Sequence, residues 1–310
     1  MITGSAGFIG RALTGRLHAA GHRVVAIDRA VDPSGETTVD GVPVLTADLL
    51  DGDPLVETAL READAVVHLA GCSGVRDTTP GIEHRRRRDN VHATRRVAEL
   101  VPPDVPLLVT SSSSVYGGAR FGRASRESDP LHPRGGYARS KVGAEEVCAQ
   151  RAAAGGHVLV ARPFTVVGEG QRPDMALSRW RAAALAGDPL RVFGSLERTR
   201  DFTCVREVAR GLTALLDRGA TGVVNVGSGA PRTLDEVVRA LGAALGLDIA
   251  VEVEPAADIE VADTWADVRR FESLTGFRPS TDLADVVRRF VAALPRAGAP
   301  ARADALLTAG

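Results

Sequence analysis

Short apolar runs alternate along this chain with longer stretches whose apolar positions recur at helical spacing. Met1-Ile-Thr3 leads into a glycine-rich turn, and Arg11 to Ala20 follows as an amphipathic run closed by Gly21. Arg23 to Asp28, Val42 to Thr46, Ala65 to Ala70, Val105 to Val109 and His157 to Arg162 read as further strands. Helical patterns end near Leu100, begin near Tyr137, and span Val205 to Leu216, Thr233 to Leu245 and Leu283 to Leu294. Pro189 to Gly194 and Val223 to Gly229 return strand character late in the chain. Alternation of this kind predicts an α/β fold with a doubly wound parallel sheet. A chain of 310 residues suits one such domain with a smaller lobe. Three residues precede Gly4, against about five in a typical strand. Either the first strand is unusually short or the true start lies upstream.

Charge adds little direction. The formal net charge is −1, which argues against a generic nucleic-acid binder or a polybasic membrane protein. Cys72, Cys148 and Cys204 are odd in number, scattered and without a CxxC pair. They suggest neither a disulfide framework nor a metal site, and a reducing cytoplasm is the expected compartment. No leader and no apolar run of about 18 residues is visible, so no membrane span is expected.

The first turn carries Gly4, Gly7 and Gly10 in GxxGxxG spacing between a strand and a helix. Gly4 allows a tight turn, Gly7 lets the backbone approach a pyrophosphate, and Gly10 permits close packing, while the helix start supplies amides. Asp28 ends the second strand 18 residues after Gly10. That position suits a carboxylate on the adenosine ribose and favours NAD over NADP, with the neighbouring Arg29 softening the preference.

Lys141 is the single lysine among 38 basic residues, and it lies four residues after Tyr137, one of two tyrosines. On a helix the pair is one turn apart on one face. An ammonium there favours the phenolate of a group whose ordinary pKa is about 10. Arginine lacks the compact, rotatable donor that also reaches a ribose hydroxyl. Upstream, Thr110-Ser-Ser-Ser-Ser-Val-Tyr-Gly117 places hydroxyls at a strand end, where they can face a ligand.

With TSSSSVYG, YxxxK and the glycine-rich N-terminus, nearly the whole chain resembles the extended short-chain dehydrogenase/reductase family of nucleotide-sugar enzymes. The resemblance implies a Rossmann domain over residues 1–164, rejoined by 198–227, and a mainly substrate-binding domain over 165–310. It implies Ser112 as catalytic hydroxyl, Tyr137 as acid/base and Lys141 as its tuner. Besides the three glycines, Asp28, Arg29, Tyr137 and Lys141, it assigns Phe8, Ile9, Asp48, Leu49, Leu69, Ala70 and Gly71 to the cofactor NAD. Gly74, Val75 and Arg76 fall to the sugar-side loop, and Val192 and Arg200 to the nucleotide, Arg200 on the diphosphate. The implied partner is a UDP-sugar and the implied assembly a homodimer.

Phe164-Thr165-Val-Val-Gly168 followed by Gln171-Arg172-Pro-Asp-Met175 is most similar to UDP-glucuronate 4-epimerases. Related dehydratases and decarboxylases carry acids where Ser113 and Ser114 stand. Hydride transfer needs an alcohol proton removed as hydride leaves the same carbon, and without an acid nearby epimerisation is favoured. The expected reaction converts UDP-glucuronate to UDP-galacturonate through a 4-keto sugar, a β-keto acid prone to lose CO2. Ser112, Ser113, Ser114, Thr165 and Arg172 are the expected substrate contacts, Arg172 on a carboxylate or on phosphate. UDP-glucose epimerisation and UDP-glucuronate decarboxylation are the alternatives, and a non-catalytic dinucleotide sensor is the reading from another class. Pro163, Glu169, Cys72 and Ala257 depart from the family pattern, as does a missing arginine before Asp258.

Three features lie outside that set. His68, inside an apolar strand, is expected to be a satisfied core residue. Arg85 to Arg88 point around a full helical circumference and cannot converge on one phosphate, so a solvated or subunit-facing helix is expected. Asn90 matches a helix packed behind the catalytic strand, and the Ala/Pro/Arg-rich tail beyond Pro295 reads as loose.

Overall fold

The computed structural model describes residues 1–29, 38–120 and 122–293. Leu294 and the tail beyond Pro295 lie outside the described residues. The main sheet contains β1 (Ile2–Thr3), β2 (Ala26–Asp28), β3 (Thr38–Val39), β4 (Val42–Thr46), β5 (Val66–His68), β6 (Leu107–Thr110) and β7 (Val158–Pro163). Around them run α1 (Phe8–Ala19), α2 (Pro54–Arg61), α3 (Ile82–Arg86), α4 (Ala93–Leu100) and α5 (Gly135–Ala153). The later elements are β8 (Thr165–Val167), α6 (Ala176–Ala186), β9 (Leu190–Phe193), β10 (Thr199–Arg200), β11 (Phe202–Cys204) and α7 (Val205–Asp217). The chain continues through β12 (Gly222–Val226), β13 (Arg232–Thr233), α8 (Leu234–Leu245), β14 (Val251–Glu254), α9 (Arg269–Thr275) and α10 (Leu283–Ala293).

The eight-stranded sheet has the order β12-β7-β6-β5-β1-β2-β4-β3, and only β3 runs antiparallel to its neighbour. The order reverses beside β1, the place where doubly wound sheets open a crevice at the carboxyl ends of their strands. Successive residues of β6 face opposite layers: Leu108 packs with Leu13 of α1 and Leu212 of α7, whereas Leu107 and Val109 pack with Val97 of α4 and Cys148 of α5. Both faces are therefore covered, which is why the strands read as nearly continuous apolar runs. A leucine buried this fully contributes about 1.5–3 kcal/mol relative to exposure.

Observed strands are shorter than the apolar runs that announce them. β1 has two residues. The run from Ala65 to Ala70 keeps only Val66–His68 in the ladder, because Leu69, Ala70 and Gly71 pass the end of the sheet and line the crevice. Five residues of β12 pair in parallel with β7, from Gly222 opposite Leu159 to Val226 opposite Pro163. The smaller lobe has a core of its own, in which Trp180, Leu190, Val192, Leu241 and Phe290 meet. Its helix α8 begins with a capping box: Thr233 accepts from the Glu236 amide and Glu236 reaches back to the Thr233 amide.

Candidate active site

The crevice is one cavity of about 1120 Å³, and it runs from the glycine turn to β8, which follows the carboxyl end of β7. Every catalytic, cofactor and substrate residue expected from the sequence lines it except Val192. The Val192 side chain is fully buried in the core of the small lobe, because alternate residues of β9 face inward and Val192 takes an inward position.

The glycine turn fits a pyrophosphate. Gly4 has φ +71°, and a Cβ there would lie 2.5 Å from the Ala70 nitrogen. A Cβ on Gly10 would lie 2.0 Å from the Gly4 carbonyl oxygen, so α1 can approach the turn only without a side chain. Gly7 caps α1 in extended conformation, and no side chain accepts from its first amides, which leaves them for an anion. Asp28 accepts the Ala6 amide at 3.0 Å, which ties the end of β2 to the turn.

At the adenosine end sequence reasoning missed a lattice of charges. Arg29 donates through both terminal nitrogens to Asp89, at 2.8 and 2.6 Å. Arg88 bridges Asp89 and Asp48, 2.8 Å from each. The hydrogen bond to Asp89 holds the Arg29 guanidinium above its ordinary pKa, against partial burial. The arginine tetrad therefore diverges, as helical spacing requires, but it is not simply solvated. Arg86 is buried and donates to the Gly74 and Asp77 carbonyls at 2.5 and 3.0 Å, fixing the sugar-side loop, and Arg85 reaches Thr79 at 2.6 Å. Arg87 begins a π-helical segment, Arg87–His92, whose wider turn sets Asp89 and Asn90 inward, both buried.

Asn90 then does what no local pattern announced. Its side chain accepts from the Cys72 amide at 2.7 Å and donates to the Cys72 carbonyl at 2.9 Å and to Ser140 at 2.8 Å. Ser140 sits between Tyr137 and Lys141 on α5, so one amide side chain locks the sugar-side loop to that helix. The pairing of a buried asparagine with a helical serine was the available signal.

Lys141 is buried and donates to the Thr110 carbonyl at 2.9 Å, and burial lowers its ammonium to about 8. Burial raises the Tyr137 phenol, while a hydrogen bond with Ser112 and the field of Arg172 pull it down. The Lys141 ammonium is thus held on the strand carbonyl, and desolvation is the largest influence on the Tyr137 phenol. Burial pushes the Tyr116 hydroxyl up to about 12. That hydroxyl donates to Asn225 at 2.7 Å and accepts from Arg162 at 2.8 Å, and Arg162 grips Glu145 at 2.9 and 2.6 Å. Ser111 closes the network by donating to Glu145. His68 is a core residue, hydrogen-bonded to Thr3 at 2.7 Å and Thr94 at 3.1 Å, and burial pushes it down to about 3.

On the sugar side, Ser112 caps the short helical turn Ser113–Tyr116 by accepting from the Ser114 amide at 3.2 Å. The Ser114 hydroxyl is buried without a partner among the described residues, which suits a ligand group in the crevice. Thr165 is half-buried at the start of β8. Arg172 pairs with Asp174 at 2.9 and 3.0 Å. Arg76 pairs with Glu260 and stacks over Phe193, 4.6 Å from the ring centre. Arg200 donates to the Thr199, Ala262 and Val261 carbonyls at 2.7–2.8 Å, and burial lowers its pKa. Arg179 of α6 also lines the crevice and was not singled out from the sequence. Among the described residues, no cluster of His, Cys, Asp or Glu could hold a metal, and no helix is long and apolar enough to cross a membrane.

A glycine turn, an acid at the end of β2 and a tyrosine-lysine helix opening into one crevice define an enzyme that works with a dinucleotide on a second ligand. Residues 1–227 match the family model described as the NAD dependent epimerase/dehydratase family, and the chain belongs to that family. It is 30% identical to an uncharacterized UDP-glucose epimerase, YtcB, of Bacillus subtilis (strain 168), over 95% of this chain and 97% of that one. A UDP-glucuronic acid 4-epimerase from Bacillus cereus, solved with UDP-glucuronic acid and NAD, superposes with a TM-score of 0.85 at 27% identity, covering 94% of this chain and 97% of that one. MoeE5, solved with UDP-glucuronic acid and NAD, superposes with a TM-score of 0.83 at 34% identity over 94% and 97% of the two chains. The protein is accordingly an NAD-dependent enzyme of nucleotide-sugar chemistry.

Proposed function

We propose that the protein epimerises UDP-glucuronate at C4 to UDP-galacturonate. The supporting observation is that Ser113, Ser114, Thr165 and Arg172 border the same cavity as Tyr137, with no acid at the two serine positions. Bound NAD supplies the acceptor and donor of hydride. Tyr137 takes the proton from the C4 hydroxyl and returns it, and Ser112 orients that oxygen. Lys141, anchored on Thr110, is placed for the ribose, and the glycine turn with Asp28 holds the dinucleotide. Ser114 and Thr165 offer neutral donors and Arg172 a charged one to the substrate carboxylate, which disfavours loss of CO2 from the β-keto acid.

A second reading, epimerisation of UDP-glucose, is favoured by the Asp174 carboxylate that already occupies Arg172. Incubation with each nucleotide sugar separately, with products resolved by NMR, tests both. UDP-galacturonate from UDP-glucuronate is expected, and comparable turnover of UDP-glucose overturns the first reading.

A further inference from the structure

The charge lattice at the adenosine end bears on which dinucleotide enters. Asp28, Asp48 and Asp89 border this corner of the crevice together with Arg29. Arg29 follows Asp28 directly, the place from which a guanidinium could meet a phosphate on the adenosine ribose. Both of its terminal nitrogens are taken by Asp89, and Asp48 lies 3.7 Å away on the other side. Arg88, the second cation, is shared between Asp48 and Asp89. Among the described residues, three carboxylates against two guanidinium groups give this corner a formal charge of −1.

The Asp89 side chain is 6% exposed, whereas that of Arg29 is 49% exposed. The buried member thus fixes the exposed one, and a planar guanidinium bound bidentately is held in one orientation. A 2′-phosphate, carrying close to two negative charges, would meet net negative charge among the described residues and two guanidinium groups that are already paired. We propose that Asp89 is a specificity-determining positioning residue for the dinucleotide: by saturating Arg29 it removes the cation next to Asp28 that could accept NADP. Asp28 sets the preference for NAD at the ribose, and Asp89 prevents Arg29 from weakening it.

Displacement of NADH from the full chain by NAD⁺ and by NADP⁺, read as loss of nicotinamide fluorescence, measures the ratio of the two affinities without turnover. Asp89→Asn keeps the shape and removes the charge. It is expected to shift the ratio toward NADP by about tenfold, equivalent to about 1.4 kcal/mol. Preference for NAD narrows rather than inverts, because Asp28 remains. Adding Arg29→Ala to Asp89→Asn should return the ratio to the wild-type value. Arg29→Ala alone leaves Asp89 without its Arg29 partner and should not move the ratio toward NADP, a test that does not depend on the fold tolerating a change at Asp89. A ratio unchanged in folded Asp89→Asn, or a shift toward NADP in Arg29→Ala alone, overturns the proposal.

Discussion

Arg172 and Asp174 form a two-pronged ion pair at the rim of the crevice, with side chains 38% and 57% exposed. An exposed pair of this kind is worth about 0–1 kcal/mol, less than the roughly 1.5–3 kcal/mol of a hydrogen bond to a charged group that it would replace. Arg172 can therefore exchange Asp174 for a substrate carboxylate at small cost.

Truncation of that contact should alter the fate of the keto acid. Arg172→Ala or Thr165→Ala is expected to raise the ratio of decarboxylated pentose to epimer by about tenfold, since 1.4 kcal/mol acting on the intermediate alone suffices. Product analysis by NMR reads the ratio. Absence of CO2 from both variants despite residual epimerisation would remove the carboxylate role. Asp174→Asn, which frees Arg172, should lower KM for UDP-glucuronate severalfold and leave KM for UDP-glucose unchanged.

Tyr137→Phe removes one oxygen from the crevice. Turnover is expected to be abolished while NADH fluorescence on binding persists. Retention of near-wild-type kcat would falsify the proton-transfer assignment.

Asp28→Ala should weaken NAD binding and narrow selectivity against NADP, since the carboxylate both pairs with ribose hydroxyls and repels a 2′-phosphate. The variant also loses the acceptor for the Ala6 amide, so a lower melting temperature is expected beside the weaker binding. Calorimetric titration with both dinucleotides checks this, and unchanged affinities place Asp28 outside the cofactor site.

His68 makes the fold sensitive to acid. Its folded pKa, about 3, lies below the ordinary 6.5, so the unfolded chain binds more protons between those values and stability falls as pH drops through 6.5. From pH 7 to pH 5 the loss from this residue is about 2 kcal/mol at 1.36 kcal/mol per unit. Urea midpoints at the two pH values should diverge in the wild type and much less in His68→Gln. Equal divergence in both proteins assigns the acid sensitivity elsewhere.

The glycine turn, Asp28, and the Tyr137 and Lys141 pair were legible because each is local: a turn, a strand end, one helical face. So was the burial of His68, which follows from its place in an apolar strand. The Arg29, Arg88, Asp48 and Asp89 lattice was not, since Arg29 and Asp89 meet across 60 residues and no periodicity links them. Reasoning on the arginine tetrad assumed a uniform helix, whereas the segment from Arg87 is π-helical and sets Asp89 and Asn90 inward. The surroundings of Lys141 and Tyr137 were hidden for a different reason. Spacing sets which residues share a face, but desolvation and the Thr110 carbonyl are properties of the assembled strand and helix.

The placement of β12 beyond β7 has a consequence for synthesis. A chain emerging at about 5–20 residues per second leaves β7 without its outer neighbour for roughly 3–12 s, because most of the smaller lobe's first elements are made between them. During that interval Tyr116 lacks Asn225, and the backbone of β7 presents an unpaired edge of the kind that invites other strands. A ribosome pause before residue 226 would prolong exposure of that edge, so a nascent chain arrested there should associate more readily than one arrested after it.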